Sequence, residues 1–183
     1  MAIIKQQDLI DSVADALQYI SYYHPIDFIQ ALEKAYHKEE SQAAKDAIAQ
    51  ILINSRMSAQ GKRPICQDTG IVTCFVKIGM DVKWDKTDIT VQQMVDEGTR
   101  RAYMNPDNPL RASIVADPAG ARKNTKDNTP SVVHIDMVAG DQVEVMIAAK
   151  GGGSENKTKM VMLNPSDSVA DWVVKTLPTM GAG

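Results

Sequence analysis

Four consecutive positions, Cys66-Gln67-Asp68-Thr69, carry a thiol, an amide, a carboxylate and a hydroxyl inside the run Arg63-Pro64-Ile65-Cys66-Gln67-Asp68-Thr69-Gly70. A thiolate binds iron and a neighbouring carboxylate transfers protons. The same residues also suit a capped turn, with Asp68 and Thr69 bonding local amides and Cys66 buried as a small hydrophobe, and spacing alone favours that turn. A second candidate is Lys150-Gly151-Gly152-Gly153-Ser154-Glu155-Asn156-Lys157-Thr158. Its glycines let backbone amides approach an anion. It nearly fits the phosphate-loop pattern, but Asn156 stands where the second glycine belongs, and Pro165 leaves little room for the long helix that should follow. Both a carboxylate-binding glycine loop and a simple tight turn remain open for it. The third candidate is Arg111, in a polar passage from Asn105 to Pro130. A planar guanidinium there can clamp a carboxylate, or only pair on the surface. His24 and His37 fall at helix edges, and His134 shares a strand face with Asp136, as solvent-facing strand residues commonly do.

The elements that must position these groups are readable from periodicity. Leu9, Ile10, Val13, Ala14, Leu17 and Ile20 make one helical stripe. His24-Pro25 interrupts it, because the residue before a proline is driven from the helical region. A second helix is expected from Pro25 or Ile26, with Phe28, Ile29, Leu32 and Tyr36 facing the core. A third is expected from near Ser41, with Ala44, Ala47, Ile48, Ile51 and Leu52 inward. Ile71 to Gly79 is β-branched and glycine-bounded, hence a strand, with Cys74 in the core. Helical spacing returns from Asp88 to Tyr103. Long loops in compact domains are often functional, which draws attention to the passage after it. Ser131–Ala139 and Gln142–Ala149 read as two strands joined as a hairpin through Gly140-Asp141. Ser166 is the expected cap of a last helix carrying Val169, Trp172, Val173 and Leu177. The expected fold class is α+β: an N-terminal helical layer (1–60), then a mixed or antiparallel sheet with flanking helices (61–183), in a single domain.

Composition narrows the function classes. The 183 residues carry a formal net charge of −3 and an ordinary apolar share, as expected of a soluble globular chain. No run approaches the ~20 apolar residues of a membrane helix. No basic stripe suggests nucleic acid, because Arg122, Lys123 and Lys126 are offset by Asp117 and Asp127. The opening residues are not those of a secretory signal, so the expected location is cytoplasmic. Two cysteines, Cys66 and Cys74, are too few for a complete zinc or iron–sulfur site, which takes three or four protein ligands.

Taken in order, these segments resemble the class I fumarate hydratases. The likeness rests on Arg63 to Gly70, on Asn108-Pro109-Leu110-Arg111-Ala112-Ser113 and on Lys123-Asn124-Thr125-Lys126-Asp127-Asn128-Thr129-Pro130. It continues through Ala149 to Lys157, Leu163-Asn164-Pro165 and Thr179-Met180-Gly181-Ala182-Gly183, and includes Ser21-Tyr22-Tyr23-His24-Pro25. The resemblance implies reversible hydration of fumarate to L-malate, a tricarboxylic acid cycle reaction. It also implies an oxygen-sensitive [4Fe-4S] cluster on three cysteines and a homodimer when full-length. Carried over by motif, Cys66 is one cluster ligand, Gln67 and Asp68 contact substrate with Asp68 in proton transfer, Arg111 binds a substrate carboxylate, and Gly153 approaches the substrate through its backbone. In the family two further cluster cysteines come after the Met-Gly-Ala-Gly stretch. The expectation is therefore that this is the front part of such an enzyme, inactive alone and without an intact cluster. Cys74 matches no cluster position. Three other readings stand beside it: an L-tartrate dehydratase, a nucleotide-binding module using Lys157 and Thr158, and a non-catalytic dimerisation module using the helices of residues 7–55.

Overall fold

A computed structural model describes residues 3–151 and 159–180. In chain order the elements are β1 (Ile3–Ile4), α1 (Gln6–Tyr22), α2 (Ile26–Lys38), α3 (Gln42–Gly61), β2 (Ile71–Gly79), β3 (Lys83–Trp84) and α4 (Val91–Tyr103). Then follow β4 (Val115–Ala116), β5 (Lys123–Asn124), β6 (Val132–Val138), β7 (Val143–Lys150), α5 (Val169–Thr176) and a 3-10 turn, Leu177–Thr179. The class is α+β, as expected. Two compact units are present, Met1–Lys150 and Gly151–Gly183.

The first unit is organised around β2. Its alternation puts Val72, Cys74, Val76 and Ile78 on one buried face, where they join Leu9, Ile10, Val13 and Leu17 of α1 and Met94, Val95, Ala102 and Tyr103 of α4. The stripe read on α1 is therefore the core stripe. Gly98 lets α4 approach α1 closely: a Cβ there would lie 2.7 Å from Ile10 O and from Val13 Cβ. A capping box starts α4, with Gln93 N donating to Thr90 Oγ1 at 3.2 Å and Thr90 N donating to Gln93 Oε1 at 2.8 Å.

Three expectations change. Strands β6 and β7 do not form a hairpin, because β2 lies between them. β6 pairs parallel and β7 antiparallel to it, in the order β6-β2-β7. Residues 139–142 arch over the end of β2, where Gly79 N donates to Gln142 O and Met80 N to Val138 O, both at 2.8 Å. A Cβ on Gly79 would sit 2.3 Å from Gly140 O, so the crossing needs a glycine beneath it. The sheet is mixed for that reason, and the parallel pair is bridged by the long α4 crossover such pairs require.

Helix α2 buries none of its residues, and Phe28 is 40% exposed. It packs against α3 as a helical hairpin, and on α3 Ala47 and Ile51, expected inward, are also exposed, so these stripes are not part of the central core. Finally, the last helix is capped by Ser168, whose Oγ accepts from Asp171 N at 3.2 Å. In the second unit Lys175 Nζ also lies 4.5 Å from the Trp172 ring centre.

Candidate functional site

The Cys66 turn is held from both sides before it reaches the sheet. Helix α3 ends at Lys62 in the left-handed region (φ 48°), which turns the chain back toward α1. Ile65 N then donates to Ser21 O at 2.8 Å, while Ile65 O accepts from Asn54 Nδ2 at 3.0 Å. Cys66 follows with its thiol exposed. Asp68 N donates to Cys66 Sγ at 3.4 Å, and Gly70 N to Asp68 Oδ1 at 3.2 Å. Gly70, at φ 76°, is where the turn swings into β2, a backbone geometry that glycine adopts without penalty. Of the capped-turn reading, only the Asp68 cap is present: Thr69 bonds Arg111 O through its hydroxyl, not a local amide, and Cys66 is exposed, not buried.

The polar passage after α4 is braced, not merely solvated. Gln18 Nε2 donates to Ala102 O at 2.7 Å and to Asn108 O at 3.0 Å, and Asn108 Nδ2 returns a bond to Gln18 Oε1 at 2.9 Å. That clasp fixes the segment carrying Arg111 onto α1. Thr69 Oγ1 donates to Arg111 O, and Tyr103 Oη donates to Thr69 O at 2.9 Å. Burial raises the Tyr103 phenol above its usual pKa, as expected for a hydroxyl that stays a donor. Asn128 is fully buried, at φ 62°. Its Oδ1 accepts from Ser113 N at 2.7 Å and Ile114 N at 3.2 Å, and its Nδ2 donates to Gly70 O at 3.0 Å. Further along, Asp96 Oδ1 accepts from Ser131 N at 2.7 Å and Thr99 Oγ1 meets Ser131 Oγ at 2.8 Å, which anchors the start of β6 on α4.

Cys66 and Asp68 line a cleft of about 560 Å³, walled mainly by apolar groups such as Leu17, Ile20 and Tyr23. Such a cleft, apolar with few convergent polar groups, has the character of a ligand site. His24 lines it too: its Nδ1 is 3.0 Å from Ser55 Oγ, its ring is 4.6 Å from Phe28, and burial lowers its pKa. Gln67 is exposed on the same turn, outside that lining. Arg111 is likewise exposed and outside it, tied to the turn through its main chain. Gly153, with Lys157 and Thr158, lies outside the described residues. His134 is remote in role: it stacks on Phe75 at 4.9 Å on the open sheet face.

Sequence reading gave no role to Asn128, Tyr103, Asn54 or Ser21. Asn128 had one usable signal, an asparagine in a polar turn, where the left-handed region is tolerated. The other three bond through the fold, with no local cue.

A [4Fe-4S] cluster takes three or four thiolates. Cys66 offers one. Cys74 is fully buried beneath the helices, where burial pushes its thiol up to about 11. No group of three His, Cys, Asp or Glu that could hold a metal occurs among the described residues. These residues therefore fit one ligand position and not a cluster site by themselves.

A family model described as fumarate hydratase (Fumerase) matches residues 10–183. The putative L(+)-tartrate dehydratase subunit alpha of Methanocaldococcus jannaschii is 29% identical over 177 residues, covering 93% of this chain and 61% of that protein. The anaerobic class I fumarate hydratase of Escherichia coli is 30% identical over 148 residues, covering 78% of this chain and 26% of that protein. The L(+)-tartrate dehydratase subunit alpha of Escherichia coli is 28% identical over 178 residues, covering 94% of this chain and 57% of that protein. The chain thus spans less than two thirds of each of these relatives. With the family model covering nearly its whole length, the chain belongs to the fumarate hydratase (Fumerase) family of hydro-lyases.

Proposed function

We propose that this chain supplies one wall of a hydro-lyase active site that interconverts fumarate and L-malate, with residues 1–183 forming part of one catalytic region. The observation that carries this reading is the joining of the Cys66–Gly70 turn to the Arg111 segment, beside a cleft lined by Cys66 and Asp68. A dicarboxylate needs a cationic fork, and Arg111 makes no ion pair among the described residues that would occupy its guanidinium. Asp68 is assigned proton transfer to or from the substrate, and Gln67 a polar contact to it. Gly153 is assigned a backbone contact, on the resemblance alone.

Cys66 is assigned as one thiolate ligand of a [4Fe-4S] cluster. Bound in such enzymes, the cluster acts as the Lewis acid that helps hydroxide leave. Its remaining ligands, and the residues completing the substrate site, lie outside the described residues in this reading. A cytoplasmic homodimer is the associated expectation. No described helix is long and apolar enough to cross a membrane.

A second reading, L-tartrate dehydratase, is supported by relatives named as its alpha subunit, of which the chain covers 57–61% against 26% of the fumarase. In that case the partner is a second kind of subunit. Anaerobic turnover assays of the complete enzyme containing this chain decide between them. A kcat/KM for fumarate and L-malate well above that for L-tartrate supports the first reading, the reverse supports the second, and turnover of neither overturns both.

A further inference from the structure

Between the two segments assigned to substrate sits a side chain that is not itself exposed to solvent. Asn128 is 0% exposed, and three of its side-chain hydrogen bonds run to main chain on either side, with a further interaction to the Tyr103 hydroxyl. Gly70 O, which it bonds through Nδ2, lies two residues beyond Asp68. Ser113 N and Ile114 N, which it bonds through Oδ1, lie two and three residues beyond Arg111. A second tie, Thr69 Oγ1 to Arg111 O, runs alongside, and Tyr103 Oη secures Thr69 from the core.

The residue type is specific to the task. One end of the side chain must accept two N–H groups and the other must donate to a carbonyl, which an amide does and a carboxylate does not. The backbone must also sit at φ 62°, which asparagine tolerates better than most residues. A glycine would satisfy the backbone alone, and glutamine would be one methylene longer than the side chain this solvent-excluded site holds. Local turn geometry therefore does not account for Asn128, whereas bridging two loops does.

We propose that Asn128, with Thr69 as its companion, is a positioning residue that sets the Arg111 guanidinium relative to the Asp68 carboxylate without touching substrate. This rests on the functional reading of Arg111 and Asp68 given above. A shift of about 1 Å in a positioned group can cost on the order of 100-fold in rate. Moving Arg111 should weaken the grip on a substrate carboxylate and appear chiefly in KM.

The test is steady-state kinetics of the complete enzyme carrying Asn128→Gly, Thr69→Val, Arg111→Ala and the double variants of each brace with Arg111→Ala. Glycine retains access to positive φ, so Asn128→Gly reads the lost bonds and not backbone strain. Arg111→Ala and Asn128→Gly are each expected to raise KM for the dicarboxylate about tenfold or more, with Thr69→Val smaller in the same direction. Coupled residues do not add, so each double variant should lie within about threefold of its worse single variant. A purely structural defect would lower the amount of active enzyme and leave KM unchanged. If Asn128→Gly does not fold, the Thr69–Arg111 cycle decides, because Thr69→Val alters only an accessible hydroxyl.

Unchanged KM in both brace variants, or full additivity with Arg111→Ala, overturns the inference while the functional reading stands. An unchanged KM in Arg111→Ala alone overturns the functional reading, and the inference with it.

Discussion

Replacing Gly98 by alanine should destabilise this protein, although glycine-to-alanine changes inside helices ordinarily do the reverse. Alanine gains about 1 kcal/mol over glycine in helix propensity. At Gly98, however, the added methyl would stand 2.7 Å from Ile10 O, Val13 Cβ and Val13 Cγ1. Ordinary contacts lie several tenths of an ångström further out. One of those atoms is a helix carbonyl, and Ile10 and Val13 are 5% and 0% exposed, so neither can swing away. The helices α1 and α4 must part instead. Overpacking of this kind costs about 1–3 kcal/mol, and with the propensity gain deducted the net loss is up to about 2 kcal/mol. For a domain of this size that lowers the melting temperature by up to about 8 °C. Gly61→Ala is the matched control, because a Cβ there meets only Arg63 side-chain carbons at 3.8–3.9 Å. It should be neutral or stabilising by up to about 1 kcal/mol. Urea denaturation and calorimetry of the two variants side by side measure the difference. A Gly98→Ala variant as stable as Gly61→Ala would refute the close α1–α4 packing.

Two other outcomes follow from the same coordinates. Glu97 is held near a pKa of about 2, first by its hydrogen bond to Arg100 and then, against desolvation, by Arg101. A carboxyl whose folded pKa lies below its usual value of 4.5 contributes stability above that value and loses it as pH falls toward 2. Glu97→Gln should therefore cost about 1 kcal/mol or less at pH 7, given the partly exposed pair, with the gap to wild type closing in acid unfolding curves between pH 4.5 and 2. A gap that persists below pH 2 would contradict this assignment. The two thiols should also separate chemically: Cys66 labels with a thiol reagent in the native protein, whereas Cys74 labels only after unfolding, since it is buried with its thiol pushed up to about 11. Mass spectrometry of peptides labelled before and after denaturation checks it, and equal native labelling would be the contrary result.

Much of the fold was legible because it rests on local signals. The α1 stripe, the break at His24-Pro25 and the strand Ile71–Gly79 each follow from periodicity or a dihedral restriction, and each occurs at the expected place. What was illegible depends on who a segment's neighbour is. Gly140-Asp141 looks like a hairpin turn, but no local feature says that β2 takes the place between β6 and β7. The apolar residues of α2 have a correct helical period, yet periodicity cannot tell whether the stripe meets a core or one other helix.

The site divides in the same way. Cys66, Gln67, Asp68 and Arg111 were singled out by residue type and by family resemblance. Asn128, whose three bonds tie the Asp68 turn to the Arg111 segment, lies 58 residues from the carbonyl it secures. Asn54 and Ser21, which hold Ile65 immediately before the thiol, are helix residues with no polar pattern around them. Residue type shows which groups can do chemistry; the residues that hold them in place become visible only once the chain is folded.

The central claim is that this chain brings the proton-handling carboxylate of a hydro-lyase to the cleft beside Cys66. Its most direct test is fumarate hydration by the anaerobically prepared complete enzyme, wild type against Asp68→Asn, a change that keeps size and removes the ionisable group. The account predicts measurable wild-type turnover and a kcat lower by about 100- to 10,000-fold in the variant. A variant within a few-fold of wild type, or a wild-type enzyme that hydrates neither fumarate nor a related dicarboxylate, would contradict it.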